Sequence, residues 1–153
     1  MPLTVSTINA LHDWFHRGQA APTLPGTWYF ALLSAVPGPG LPNGTEITAG
    51  GVTRQALTRS LAAVSGTQSA GSTTASSGTT SPGEVSNNSA ITFVASASAP
   101  VTGAVAVGAF DASSGGNCWE WVYITASGSP TPRNWAAGDP VALAAGQLKL
   151  RLA

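Results

Sequence analysis

The chain has 153 residues, six basic and six acidic, so its formal net charge is zero and only 8% of it is charged, against about a quarter in ordinary soluble domains. Such a surface has no basic field to hold nucleic acid or an anionic membrane, and it sets little repulsion between copies. This composition suits a protein packed against neighbours, although a GC-rich genome also drifts toward Ala, Gly and Pro.

The length fits one domain, and the single Cys118 excludes an intramolecular disulfide. The first residues, MPLTVSTINALHDWFHRG, lack a basic stretch followed by an apolar one, and no apolar run approaches the roughly 18 residues of a membrane span. The expectation is synthesis in a cytoplasm without a cleaved export signal.

Thr4 or Ser6 caps a helix whose apolar positions Val5, Ile8, Leu11 and Phe15 follow helical spacing, and Gly18 ends it. Beyond residue 20, Gly and Pro recur too often for a long helix, so short strands are expected. The first runs from Thr27 to Leu33, rich in aromatic and branched residues. A second lies within 51–57 and continues toward Val64, read as strand in preference to a turn or two of helix over Arg54 to Ala63. Residues 65–88 are almost all Ser, Thr, Gly, Ala and Asn, so they cannot recover their ordering entropy from a core. They read as a long exposed loop, either mobile or a contact arm.

Further strands are expected at 90–94, 101–110, 118–124, 140–143 and 147–152. The last alternates Leu148, Leu150 and Leu152 with Lys149 and Arg151. Phe110-Asp111 and Cys118 flank ASSGG, read as a hairpin in which Gly115-Gly116 supply positive φ and Asp111 and Asn117 bond the turn. Cys118 reads as a small buried residue starting the return strand. Together these elements indicate an all-β, β-sandwich or jelly-roll-like domain over 1–153. Residues 1–19 form a short N-terminal helix or arm, and 20–153 form the sandwich with its Ser/Thr/Gly-rich loop.

Candidate chemistry is thin. His12 and His16 share a helix face, but Asp13 replaces the Glu of a zinc-protease motif and no third His exists. Cys118 lacks a positioned base, because both His residues lie in the terminal helix. Asp111 and Glu120 could oppose each other across the hairpin without the cleft a glycosidase needs. Gly115-Gly116 precede neither a Lys-Ser/Thr pair nor a helix, so they form no phosphate loop. No catalytic, metal or cofactor residue is assigned. Asn43-Gly44-Thr45 and Asn87-Asn88-Ser89 match the glycosylation pattern, which is common by chance.

In Trp119-Glu120-Trp121-Val122-Tyr123, strict alternation sets Trp119, Trp121 and Tyr123 on one face and Cys118, Glu120, Val122 and Ile124 on the other. The aromatic face is read either as core or as a stripe for a partner subunit or sugar. Candidate partner contacts are Leu11, Trp14, Phe15, Trp119, Trp121, Tyr123 and Trp135.

Trp28 to Pro37, Glu46 with Gly50-Gly51 and Arg54, Asn88 to Phe93, Val107 to Ala112 with Gly115-Gly116-Asn117, Ala137 to Pro140, and Ala144 to Leu150 follow one another in an order of turns and strands. In that order the chain resembles small structural virion proteins of tailed bacteriophages. The resemblance implies a β-sandwich virion component, assembled in the host cytoplasm. The leading expectation is a capsid cement or decoration protein on the capsid exterior, bridging major capsid protein subunits as a dimer or trimer. The alternative is a tail or tail-fibre module that binds a host receptor or surface glycan through Trp119, Trp121 or Trp135. A small hydrolase is a distant third.

Overall fold

The computed structural model describes residues 3–65, 84–124 and 131–151. Most of the expected 65–88 loop, and the segment 125–130, lie outside the described residues. The sequence's one strong helical period becomes α1 (Val5–Arg17). The side chain of Thr4 accepts from the Thr7 N–H at its start, and Gly18 closes its end in the left-handed region, both as the capping residues dictate.

All other regular structure is β, apart from a short 3-10 turn at Ala49–Gly51. The aromatic run extends two residues past its expected end to form β1 (Thr27–Ala35). One edge of β1 is shared: β2 (Thr45–Glu46) pairs with its C-terminal end and β3 (Gln55–Thr58) with its N-terminal end. Its other edge pairs with β8 (Ala106–Phe110), which pairs in turn with β9 (Cys118–Tyr123). This five-stranded antiparallel sheet accompanies three shorter ladders. They are β10 (Arg133–Trp135) with β7 (Val101–Ala104), β11 (Val141–Leu143) with β6 (Ile91–Val94), and β12 (Lys149–Arg151) with β5 (Glu84–Asn87) and β4 (Val64–Ser65).

Phe30 and Leu32 of β1 stand opposite Ala109 and Val107 of β8, so these four residues share one face. There they pack with Phe93, Val101, Trp135, Val141 and Leu143 from the shorter ladders into the main core. Full burial of a side chain the size of Phe or Leu stabilises by about 1.5–3 kcal/mol, so this face dominates the cohesion of the domain. The opposite face carries a smaller cluster: Ala31, Leu33, Ala106, Phe110, Cys118 and Trp121. The chain is therefore all-β with one short helix, and its sheets remain open.

Four strand expectations change. The second strand is only Gln55–Thr58, because the chain turns at 60–63 before entering β4. The segment 84–87, expected as loop, is a strand because β12 and β4 supply partners on both sides. The run 101–110 splits at Val105, since its first half pairs with β10 and its second with β1 and β9. Among the described residues the last strand covers Lys149–Arg151, with Leu148 buried just before it, and the expected Leu152 lies outside the described residues.

Candidate functional site

The hairpin between β8 and β9 forms as its residues suggest. Gly115 and Gly116 have φ of 61° and 69°, a region that side chains avoid. Asp111 Oδ1 accepts from the Asn117 N–H at 2.8 Å, and Asp111 Oδ2 accepts from Trp119 Nε1 at 3.1 Å. Partial burial raises the Asp111 carboxyl. The hydrogen bonds from the Asn117 backbone, the Trp119 ring and the Asn117 side chain outweigh it and hold the group below its ordinary value. Asp111 is thus an ionised turn anchor facing no second carboxylate.

The hairpin's strongest support comes from Arg54. Its Nη1 donates to the Ala112 and Gly115 carbonyls at 2.7 and 2.8 Å. Its Nε and Nη2 grip the Glu46 carboxylate, the shorter contact being 2.9 Å, and its guanidinium lies 3.8 Å from the Phe110 ring centroid. Both members of the pair are largely withdrawn from solvent, at 8% and 27% exposed. Asn43 completes the clamp: its Nδ2 donates to the Gly116 carbonyl and its Oδ1 accepts from the Cys118 N–H. Glu46, Gly50-Gly51 and Arg54 stand out in the sequence only as a turn pattern. Glu46 meets Arg54 eight residues on, but the hairpin carbonyls that Arg54 holds lie about 60 residues away along the chain, and no local signal connects them.

A bulge reorganises the aromatic strand. Ala109 pairs with Glu120 but Phe110 pairs with Cys118, leaving Trp119 as the extra residue. Cys118 therefore shares its face with Trp121 and Tyr123, and the strictly alternating arrangement expected at 118–124 does not form. Trp119 is half-buried, edge-on to Trp28 at 5.9 Å. Trp121 is buried with the half-buried Tyr123 packed edge-on against it at 4.9 Å. Trp135 is buried in the main core, with Arg133 over its ring. Burial thus spends the rings of Trp121 and Trp135 on cohesion within this chain.

Cys118 is buried, as expected, and burial pushes its thiol up to about 12. Glu120 points to the core side of the sheet where Leu3 bridges β9, and burial raises its carboxyl to about 7. His12 and His16 stack at 5.4 Å, and no group of three metal-ligating side chains occurs among the described residues. No described helix is long and apolar enough to cross a membrane.

The surface that remains is α1. It rests on β9 through polar contacts: the Thr4 N–H and the Thr7 hydroxyl both donate to the Trp119 carbonyl, at 3.0 and 2.8 Å. Thr7 is buried and Leu11 half-buried on that side. The amphipathic stripe read from the sequence points elsewhere. Val5 is 61% exposed, Ile8 39%, Trp14 42% and Phe15 65%, with the Trp14 and Phe15 rings 4.4 Å apart. Thr4, Thr7 and Leu11 thus face the body, while Val5, Ile8, Trp14 and Phe15 are exposed.

Residues 2–151 match the family model described as Podophage GP4 fiber I protein gp80. No curated protein matches the chain.

Proposed function

The chain belongs to the podophage GP4 fiber I protein family, a phage structural virion family of the tail-fibre type, and from that premise we propose that it is a non-catalytic building unit of a fibre. The match along nearly the whole chain favours this tail-fibre alternative over the capsid cement expected first. Neither the capsid exterior nor the major capsid protein carries over from that expectation. Assembly takes place in the host cytoplasm, and the working position is on the particle's fibre.

The mechanism is mechanical. The body is a sandwich-like unit, a reading supported by the core shared between one face of the main sheet and the short ladders. Arg54, Glu46 and Asn43 hold the hairpin rigid at one end. The exposed side of α1, with Trp14 and Phe15, is the contact surface toward neighbouring subunits. A glycan platform is the less favoured role, because Trp121 and Trp135 are buried and Trp119 is committed to Asp111.

The test is electron cryo-microscopy of particles with and without this chain, together with its copy number by quantitative mass spectrometry. The expected result is loss of density at a fibre, with far fewer copies than the shell protein. Loss of density at the seams of the shell would overturn the proposal and restore the cement reading.

A further inference from the structure

We propose that the outward face of α1 is a self-association seam that packs against α1 of a second copy of this chain. This rests on the fibre reading and deepens it by naming the partner of the part of that surface formed by Val5, Ile8 and Phe15; Trp14 lies about 100° round the helix from Phe15, beyond Thr7 and Leu11, and is not part of the seam. At 100° per residue, Val5, Ile8, His12 and Phe15 fall within an arc of about 80°, spaced three, four and three residues apart. That is a narrow two-position seam, the pattern that one helix presents to another, and not the broad stripe of a helix lying on a sheet. The body already occupies a different side of α1, the one carrying Thr7 and Leu11.

Charge selects the occupant. The Asp and Arg side chains of α1, Asp13 and Arg17, bond each other at 2.8 Å on the polar side, so with His12 and His16 counted neutral at pH 7 the outward seam carries no net charge. A partner for such a face must itself be apolar and uncharged, which the same face on another copy satisfies, and the chain's zero net charge opposes no such approach. An interfacial membrane helix would instead set several free Lys or Arg along its polar side. Here the single Arg17 is already paired.

Area sets the strength. Val5, Ile8 and Phe15 leave on the order of 300 Å² exposed per copy, so one pair covers about 600 Å², short of the roughly 1,000 Å² of a stable interface. The contact is therefore weak between free molecules and becomes firm when copies are held together on one particle, where effective concentration is high.

Sedimentation of the full chain from about 10 to about 500 μM tests this, since mass must rise with concentration in a self-associating system. Ile8→Ser combined with Phe15→Ser is expected to raise the dissociation constant at least about 100-fold, because each substitution strips an apolar anchor from the seam. Ser6→Leu, on the polar side, is expected to leave it unchanged. Thermal unfolding verifies that each variant is folded, and Phe15→Ser alone serves if the double variant is not. A wild-type chain that stays monomeric throughout overturns the proposal, as does association that survives the seam substitutions. So does a monomer that binds phosphatidylglycerol vesicles through these same residues. None of these outcomes touches the fibre assignment, which is read on particles.

Discussion

Replacing Arg54 by Ala removes more than an ion pair. The substitution deletes two donors to the Ala112 and Gly115 carbonyls, the fork on Glu46 and the cation over Phe110, while leaving a Glu46 carboxylate that is 27% exposed. Hydrogen bonds from charged donors contribute about 1.5–3 kcal/mol each, and stripping one partner from a largely buried pair costs about 3–5 kcal/mol overall, because the survivor stays desolvated. We expect Arg54→Ala to cost about 4 kcal/mol, close to the upper end of single-residue effects. For a domain of this size that lowers Tm by about 8–16 °C. Arg54→Lys keeps the charge but not the planar fork, and should recover less than half of the loss. Urea unfolding at constant m value supplies the free energies, and a cycle with Glu46→Gln isolates the pair, with a coupling above about 1 kcal/mol expected. A cost below about 1 kcal/mol for Arg54→Ala would refute the clamp, because the hairpin would then be holding itself.

Three further outcomes follow from buried groups. Asn87 is buried and its amide serves the Ser89 and Ala144 carbonyls and the Leu148 N–H, so Asn87→Ala should cost about 2–4 kcal/mol in urea unfolding by orphaning all three. Glu120 has its folded pKa raised to about 7 from an ordinary 4.5, so the folded state binds the proton more tightly and its contribution is fully present below pH 4.5 and lost as pH rises through 7. Glu120→Gln should therefore stabilise the protein by about 2 kcal/mol at pH 8, after allowance for partial solvent access, and by almost nothing at pH 4; equal effects at both pH values would contradict the assignment. Cys118, buried with its thiol at about 12, should resist maleimide at pH 8 in the native protein and react promptly in denaturant, as mass spectrometry will show.

Locally determined structure was legible in the residues. Thr4, Gly18 and the period between them define α1, and the Asp111, Gly115-Gly116 and Asn117 turn follows from turn chemistry alone. What escaped depends on a distant partner. The strand at Glu84–Asn87 exists because β12 and β4 flank it, and nothing in its polar sequence announces them. The bulge at Trp119 is a property of the register between β8 and β9, so alternation within β9 placed Cys118 on the wrong face, while Trp121 and Tyr123 stand opposite Glu120 and Val122 as alternation expects. The candidate surface was half legible: the apolar stripe of α1 is visible in the sequence, but the side turned to the body is set by Thr4 and Thr7 meeting a carbonyl 112 residues away from the latter.

The unequal attachment of the molecule's parts bears on how it can work. The hairpin end is fixed by charged, mostly buried contacts that cost several kcal/mol to break. The helix is held by the half-buried Leu11 and by two neutral hydrogen bonds to the Trp119 carbonyl, each contributing about 1 kcal/mol, the one from the Thr4 N–H being part of the bridge at Leu3. We therefore expect the α1 amides to exchange hydrogen faster than those of β1 and β8, as native-state hydrogen exchange will show. Val5, Ile8 and Phe15 face away from the body and leave much of their apolar surface exposed. A rigid unit with a lightly held, apolar-faced helix can adjust that helix to a neighbour without disturbing its own core.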